Sequence, residues 1–236
     1  MVPIVLLPQW PRAYSARMRF IHFGGVLELR DLMLATWSVD PEQISHALPE
    51  GFAPIAVDGV GFVSVVGFCA KGVRAGRLPA PGYSGINVRT YVTDREGAPA
   101  IFLLQSRVTL PGMTGLLLGA PVRPTLIRVR RGSVSASGVG VAVRYSVPED
   151  EIGPSQTPPL EPPMGDFDVA YWKAAGVRRL ETTHQPIPWQ SAVIGESLRF
   201  DPVLALGFDA KEPQWLHYAE RVDFDLALPP RKISRR

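Results

Sequence analysis

Tyr83-Ser84-Gly85-Ile86-Asn87-Val88-Arg89-Thr90-Tyr91-Val92 is rich in β-branched and aromatic residues and reads as an extended strand. In a strand, residues two apart share a face, so Asn87 and Arg89 project together while Val88, Thr90 and Val92 project to the other side. An apolar layer then backs an amide and a guanidinium. That pair must meet solvent, a partner charge or a cavity, which makes Asn87 and Arg89 the first candidate binding residues. The turn sequence Asp94-Arg95-Glu96-Gly97 ends the run, and residues 98–106 read as its antiparallel partner.

Upstream, Asp58-Gly59 is a two-residue hairpin signal that predicts pairing of residues 53–57 with 60–68. Residues 71–82 read as a Gly/Pro/Arg loop leading into the central strand. Residues 29–37 form a further strand. Asp40-Pro41-Glu42-Gln43 then opens a short helix to residue 48, with aspartate as N-cap, proline at the first helical position and Ile44 and Leu48 on one apolar face. Residues 1–25 are an irregular lead-in.

Downstream, strands are expected at 125–130 and 139–147, separated by a Ser/Gly turn at 135–138. Residues 148–165 carry six prolines and an acidic Glu149-Asp150-Glu151 cluster and read as a long loop. Strands follow at 177–184, 193–198, 215–218 and 222–228, with Asp201-Pro202 capping a short helix to residue 206. Short strands punctuated by 24 prolines and 22 glycines give an all-β, or β-rich, chain with short helices. No internal repeat divides the 236 residues, so the expectation is a single domain over 1–236.

The net charge of +3 resides largely at the two ends, without aromatic-interleaved basic strands or a recognition helix, so no nucleic-acid partner is expected. One cysteine, Cys69, precludes an intramolecular disulfide and fits a reducing, cytoplasmic setting. The apolar residues 1–7 contain Pro3 and lack a basic flank, and no stretch reaches spanning length, so no membrane partner is expected. His22, His46, His184 and His217 stand singly, without paired ligand spacing, so no metal is expected. No nucleophile elbow, phosphate loop or dinucleotide fingerprint is present, and no cofactor is expected. Assembly into a homo-oligomer is compatible with the sequence.

Two further places carry chemistry. Arg30 opens an apolar strand, where it serves either a rim salt bridge or an anion. His184 precedes Gln185-Pro186-Ile187-Pro188-Trp189, a rigid segment that is either a structural corner or a device holding an imidazole near an indole.

Together, residues 30–41, Leu48-Pro49-Glu50-Gly51, the Asp58-Gly59 turn, Asn87-Val88-Arg89-Thr90-Tyr91-Val92 and the His184 to Trp189 corner resemble the DUF2071 (YqjF-like) proteins of unknown function, over about residues 28–230. That family is similar to acetoacetate decarboxylase, which implies a closed, cone-shaped antiparallel β-barrel with an interior pocket. The resemblance aligns Arg30 with an arginine that contacts the substrate carboxylate. It sets Gly85, two residues after Tyr83, where the decarboxylases carry a glutamate, and Val122 and Arg123 where they carry a lysine pair.

The resemblance thus implies loss of the Schiff-base nucleophile and of its partner acid. Arginine stays protonated and cannot form an imine, so Arg123 is no substitute. No catalytic residue is assigned, and whether the chain is an enzyme stays open. Three functions compete. One is a barrel binding a small anionic or carbonyl-bearing molecule, such as a carboxylate, through Arg30, Asn87, Arg89, Tyr83, Arg123, His184 and Trp189. The others are a lyase using another nucleophile, Lys71 or Lys173, and a protein-interaction scaffold with a solid interior.

Overall fold

The computed structural model describes residues 23–75, 77–109, 120, 122–148, 167–208 and 212–233. The lead-in up to residue 22 and most of the proline-rich stretch lie outside them. In chain order the described elements are β1 (Phe23–Val39), α1 (Pro41–Ala47), β2 (Ala53–Pro54), β3 (Gly61–Ala75), β4 (Leu78–Ala80), β5 (Tyr83–Thr93), β6 (Pro99–Val108) and β7 (Arg123–Pro124). After them come β8 (Ile127–Arg130), β9 (Ser133–Ala136), β10 (Val141–Ser146), β11 (Val169–Ala174), β12 (Gly176–His184), β13 (Gln190–Ser191), β14 (Val193–Phe200), α2 (Asp201–Leu204), β15 (Trp215–Leu228) and β16 (Arg231–Ile233).

Strands β15, β1, β3, β5, β6, β11 and β12 pair in that order, and β12 returns to β15 through Thr182↔Leu226, Thr183↔Asp225 and His184↔Phe224, closing the ring. Closure leaves none of these seven strands as a bare edge. The ring is antiparallel except where β11 runs parallel to β6. The expectation of a purely antiparallel barrel fails there because the chain leaves β6, builds a second sheet, and returns in the same direction. That sheet, β14-β10-β9-β8, stands apart from the ring in hydrogen bonding.

Its apolar face covers the outside of β1, β3 and β5. One core cluster joins Met33, Ala35, Trp37, Val63, Val65 and Val88 of the ring to Val129, Val134, Val141 and Val143 of the second sheet. Edge-to-face packing of Trp37 on Phe200, 4.7 Å between ring centroids, ties the two layers. With its outer face covered by this sheet and its inner face lining the barrel, β5 is buried on both sides. Val88 and Val92 are almost fully buried, as the alternation predicted.

A β-bulge in β1 sets which residues face inward. Against β3, Arg30 pairs with Cys69 but Met33 with Gly67, so β1 holds one extra residue, and Asp31 takes φ 52°. Leu27, Leu29, Leu32 and Leu34 face the interior as a result, while Met33, Ala35 and Trp37 face the second sheet.

Helix α1 matches its prediction: the Asp40 carboxylate accepts from the Glu42 N–H at 2.9 Å, and Ile44 is fully buried. Other boundaries differ. Asp58 (φ 51°) and Gly59 (φ 77°) do form a tight turn, bridged by Val57 and Val60. The antiparallel pairing stops at that bridge, however. β2 and β3 both run antiparallel to β5, end to end along one edge, and the turn is an outward excursion between them.

Residues 71–82 are not all loop, since β3 continues to Ala75 and β4 folds back on it. The stretch 133–136 is strand β9, with turns at 131–132 and 137–140 on either side. The two strands expected at 215–218 and 222–228 are one, β15, in which Glu220 and Arg221 are exposed in succession. In α2 the N-cap is Phe200, while the Asp201 carboxylate instead holds the Arg199 guanidinium.

Candidate functional site

Inside the ring lies a cavity of about 180 Å³. Its wall is mostly aliphatic and aromatic, and strand alternation puts it there: Leu27, Leu29 and Leu32 from β1, Val66 and Phe68 from β3, Leu103 and Val108 from β6, Ala170 and Trp172 from β11, and Phe224 and Leu226 from β15. From β5 come Tyr83, Asn87 and Arg89, the polar face of the central strand. Ser106, directly opposite Asn87, and Thr182 add hydroxyls.

Arg89 is the one charged residue among the described lining. A buried hydroxyl chain anchors it from below. Thr36 Oγ1 lies 2.7 Å from Ser64 Oγ, which lies 2.9 Å from Tyr91 Oη. Tyr91 Oη in turn accepts from Arg89 Nη2 at 3.4 Å. The guanidinium carbon also stands 5.5 Å from the Tyr91 ring centroid, within cation–π range. Arg89 Nε is buried without a hydrogen-bond partner among the described residues, and no carboxylate there forms an ion pair with it.

Trp189 also lines the cavity. The Pro186-Ile187-Pro188 corner delivers it, its backbone N–H donating to the Ile187 carbonyl at 2.8 Å, and its indole Nε1 is likewise buried without a partner among the described residues. Two buried donors without an acceptor among the described residues, Arg89 Nε and Trp189 Nε1, thus belong to side chains that line one cavity. Such groups are costly unless something accepts from them.

The structure brings Tyr83, Asn87, Arg89 and Trp189 together and leaves three candidates outside. Arg30 precedes the bulge on the face opposite to Leu29 and Leu32, and its side chain, 43% exposed, pairs with Glu28, which also pairs with Arg221. The rim salt bridge is the environment observed. Arg123, on β7, pairs with Arg107 of β6 and lines with it, Leu104, Gln105 and Ser106 a separate pocket of about 190 Å³, while its neighbour Val122 faces the barrel cavity. His184 sits one step beyond the lining, its ring 4.7 Å from that of Phe224 and its Nδ1 2.8 Å from the Gln185 carbonyl.

Phe68, Trp172 and the Thr36–Ser64–Tyr91 chain escaped sequence reading. The signal for the chain was a lone hydroxyl inside each of two apolar strands. Phe68 had no such signal, since only the register of β3 on β5 sets its ring in the space where a Cβ of Gly85 would stand. Gly85 is the position that the resemblance aligns with a glutamate, and an aromatic ring covers it here.

Of the lysines in the described residues, Lys173 projects to the outside of the ring, into a surface groove of about 990 Å³ shared with Lys232, and Lys71 is exposed. Lys211 lies outside the described residues. Among the described residues no helix is long and apolar enough to cross a membrane, and no three His, Cys, Asp or Glu side chains cluster as a metal site.

Solved structures share this architecture. An acetoacetate decarboxylase-like enzyme from Sphingomonas wittichii RW1 superposes with a TM-score of 0.59 at 15% identity, covering 89% of this chain and 92% of that one. The enduracididine biosynthesis enzyme MppR complexed with pyruvate gives 0.55 at 18% identity, covering 97% and 96%. The acetoacetate decarboxylase of Legionella pneumophila gives 0.56 at 11% identity, covering 94% and 93%. At these identities the likeness establishes the fold alone. No curated protein matches the sequence. The model of an uncharacterized conserved protein family matches residues 27–223, nearly the whole described ring, and the chain belongs to that family, DUF2071.

Proposed function

We propose that the barrel binds a small anionic or carbonyl-bearing molecule in its interior, with Arg89 as the counter-ion and Asn87 and Trp189 as orienting donors. One observation carries this reading: a half-buried arginine with no carboxylate partner among the described residues lines a cavity of about 180 Å³. A guanidinium drawn partly out of water without a counter-charge is disfavoured, and a bound anion offsets that cost.

The binding is non-covalent. Val122 faces the cavity where the resemblance sets a lysine, Gly85 is covered by Phe68, and no described lysine lines the wall. The alternative of a lyase working through Lys71 or Lys173 loses support, because neither reaches the cavity. A solid scaffold fits poorly with an open volume beside Asn87. The setting we assign is the cytoplasm, consistent with a lone cysteine.

The test is a thermal-shift titration with acetate, pyruvate and larger carboxylates on wild type, Arg89→Gln and Arg30→Ala. Pyruvate belongs in the set because a structurally similar enzyme is complexed with it. A ligand at about a hundred times its Kd stabilises by roughly 2.7 kcal/mol, on the order of 5–10 °C in Tm for a chain of this size. The shift is expected in wild type and Arg30→Ala and absent in Arg89→Gln. A shift that survives Arg89→Gln defeats the proposal.

A further inference from the structure

We infer that the ligand class is an aromatic monocarboxylate of about the size of benzoate; the inference rests on the binding reading above and narrows it. Three features of the cavity lead there. The first is volume. A dry apolar cavity of about 150 Å³ suffices to take up benzene, so about 180 Å³ admits one six-membered ring with a small polar group. A two- or three-carbon acid would leave much of that space empty, and an apolar wall without contacting atoms forfeits dispersion energy along its whole face.

The second feature is the wall. The rings of Phe68, Tyr83, Trp172, Trp189 and Phe224 all face the same space, with aliphatic side chains between them. Aromatic faces and edges favour a flat aromatic guest through offset and edge-to-face contacts over a hydrated polar one.

The third is charge. Arg89 is the sole charged group among the described lining residues, so one carboxylate is neutralised and a second would be buried against apolar wall. The Trp189 indole N–H is buried without an acceptor among the described residues, and a turn of its ring brings it to the same carboxylate or to an oxygen on the guest. The position that the resemblance aligns with a glutamate is covered by the Phe68 ring, so the acid sits among rings and donors with no competing carboxylate in the described wall.

The experiment is calorimetric titration of the full chain with benzoate, acetate, pyruvate and succinate at fixed pH and ionic strength. Wild type is compared with Arg89→Gln and with Val122→Phe, which places a ring in the cavity; Ala170→Leu serves the same purpose if Val122→Phe does not fold. Benzoate is expected to bind wild type at least ten-fold more tightly than pyruvate or succinate. Arg89→Gln is expected to abolish all binding, and the space-filling variant to lose benzoate while keeping acetate.

Pyruvate or succinate binding as tightly as benzoate, or a space-filling variant that keeps benzoate, overturns this inference and leaves the broader reading standing. No binding of any acid to wild type, or binding indifferent to Arg89→Gln, overturns both.

Discussion

Gly85 and Arg89, four residues apart on one strand, have opposite relations to the space beside them. At Gly85 the space is full: a Cβ would stand 2.8 Å from Cε2 of Phe68, closer than real packing allows. Gly85→Ala therefore pushes a ring that is itself buried, at a cost of about 1–3 kcal/mol. Thermal melting checks this, with an expected loss of several degrees; an unchanged Tm would show that the ring moves freely. At Arg89 the side chain borders open space and its charge has no carboxylate partner among the described residues, so Arg89→Gln is expected to melt at or above wild type when no ligand is present, the reverse of an ordinary buried-residue truncation. A clear fall in the ligand-free Tm would mean that the guanidinium already has its counter-charge. Arg89 and Arg30 look alike in sequence, each beside apolar residues. They part because one follows the regular alternation of β5 and the other precedes a bulge.

At the scale of elements, the bulge at Asp31 is the feature on which the interior depends. A non-glycine residue at φ 52° is strained, and the Asp31 carboxylate is held there by the Tyr218 hydroxyl, which donates to Oδ1 at 3.0 Å. Without the extra residue, Met33, Ala35 and Trp37 would turn into the barrel, and Leu32 and Leu34 toward the second sheet. Deleting Asp31 is thus expected to abolish cooperative unfolding, whereas Asp31→Asn, which tolerates the same backbone and keeps an acceptor, is expected to fold. Circular dichroism melts of the two variants test this, and a cooperative melt of the deletion would refute the register argument. Helix α1 sits at the milder end of the same scale: its cap is local, and Asp40→Ala is expected to cost about 1 kcal/mol.

For the whole molecule, closure and alkaline stability are linked through buried tyrosines. Burial raises the Tyr145 hydroxyl to about 12. Burial, reinforced by hydrogen bonds to Asp94 and Asp31, likewise holds Tyr171 and Tyr218 above the ordinary phenol value of 10.0. Tyr171, on β11, reaches Asp94 in the β5–β6 turn at 2.8 Å and so joins neighbouring parts of the ring. Because the folded state keeps these protons after the unfolded chain has released them, their contribution is complete below about pH 10 and is lost as pH rises toward and through the folded values. Denaturant unfolding between pH 9 and about 12 should show falling stability in wild type and a shallower fall in Tyr171→Phe. Equal slopes would remove Tyr171 from this account.

What the sequence determined by itself is local. The alternation at Asn87-Val88-Arg89 set the strand and its polar face, Asp40-Pro41 set the helix start, and Asp58-Gly59 set a positive-φ turn, because each depends on residues within a few positions of one another. The family, too, was legible from ordered motifs. What only the tertiary structure decided is which strands meet and which faces enclose space. β2 joins β5 rather than β3, β11 returns parallel to β6, Phe68 lies over Gly85, and Arg30 points away from the cavity. Each follows from pairings between distant segments and from one extra residue in β1, and side-chain periodicity carries no record of either until the ring has closed.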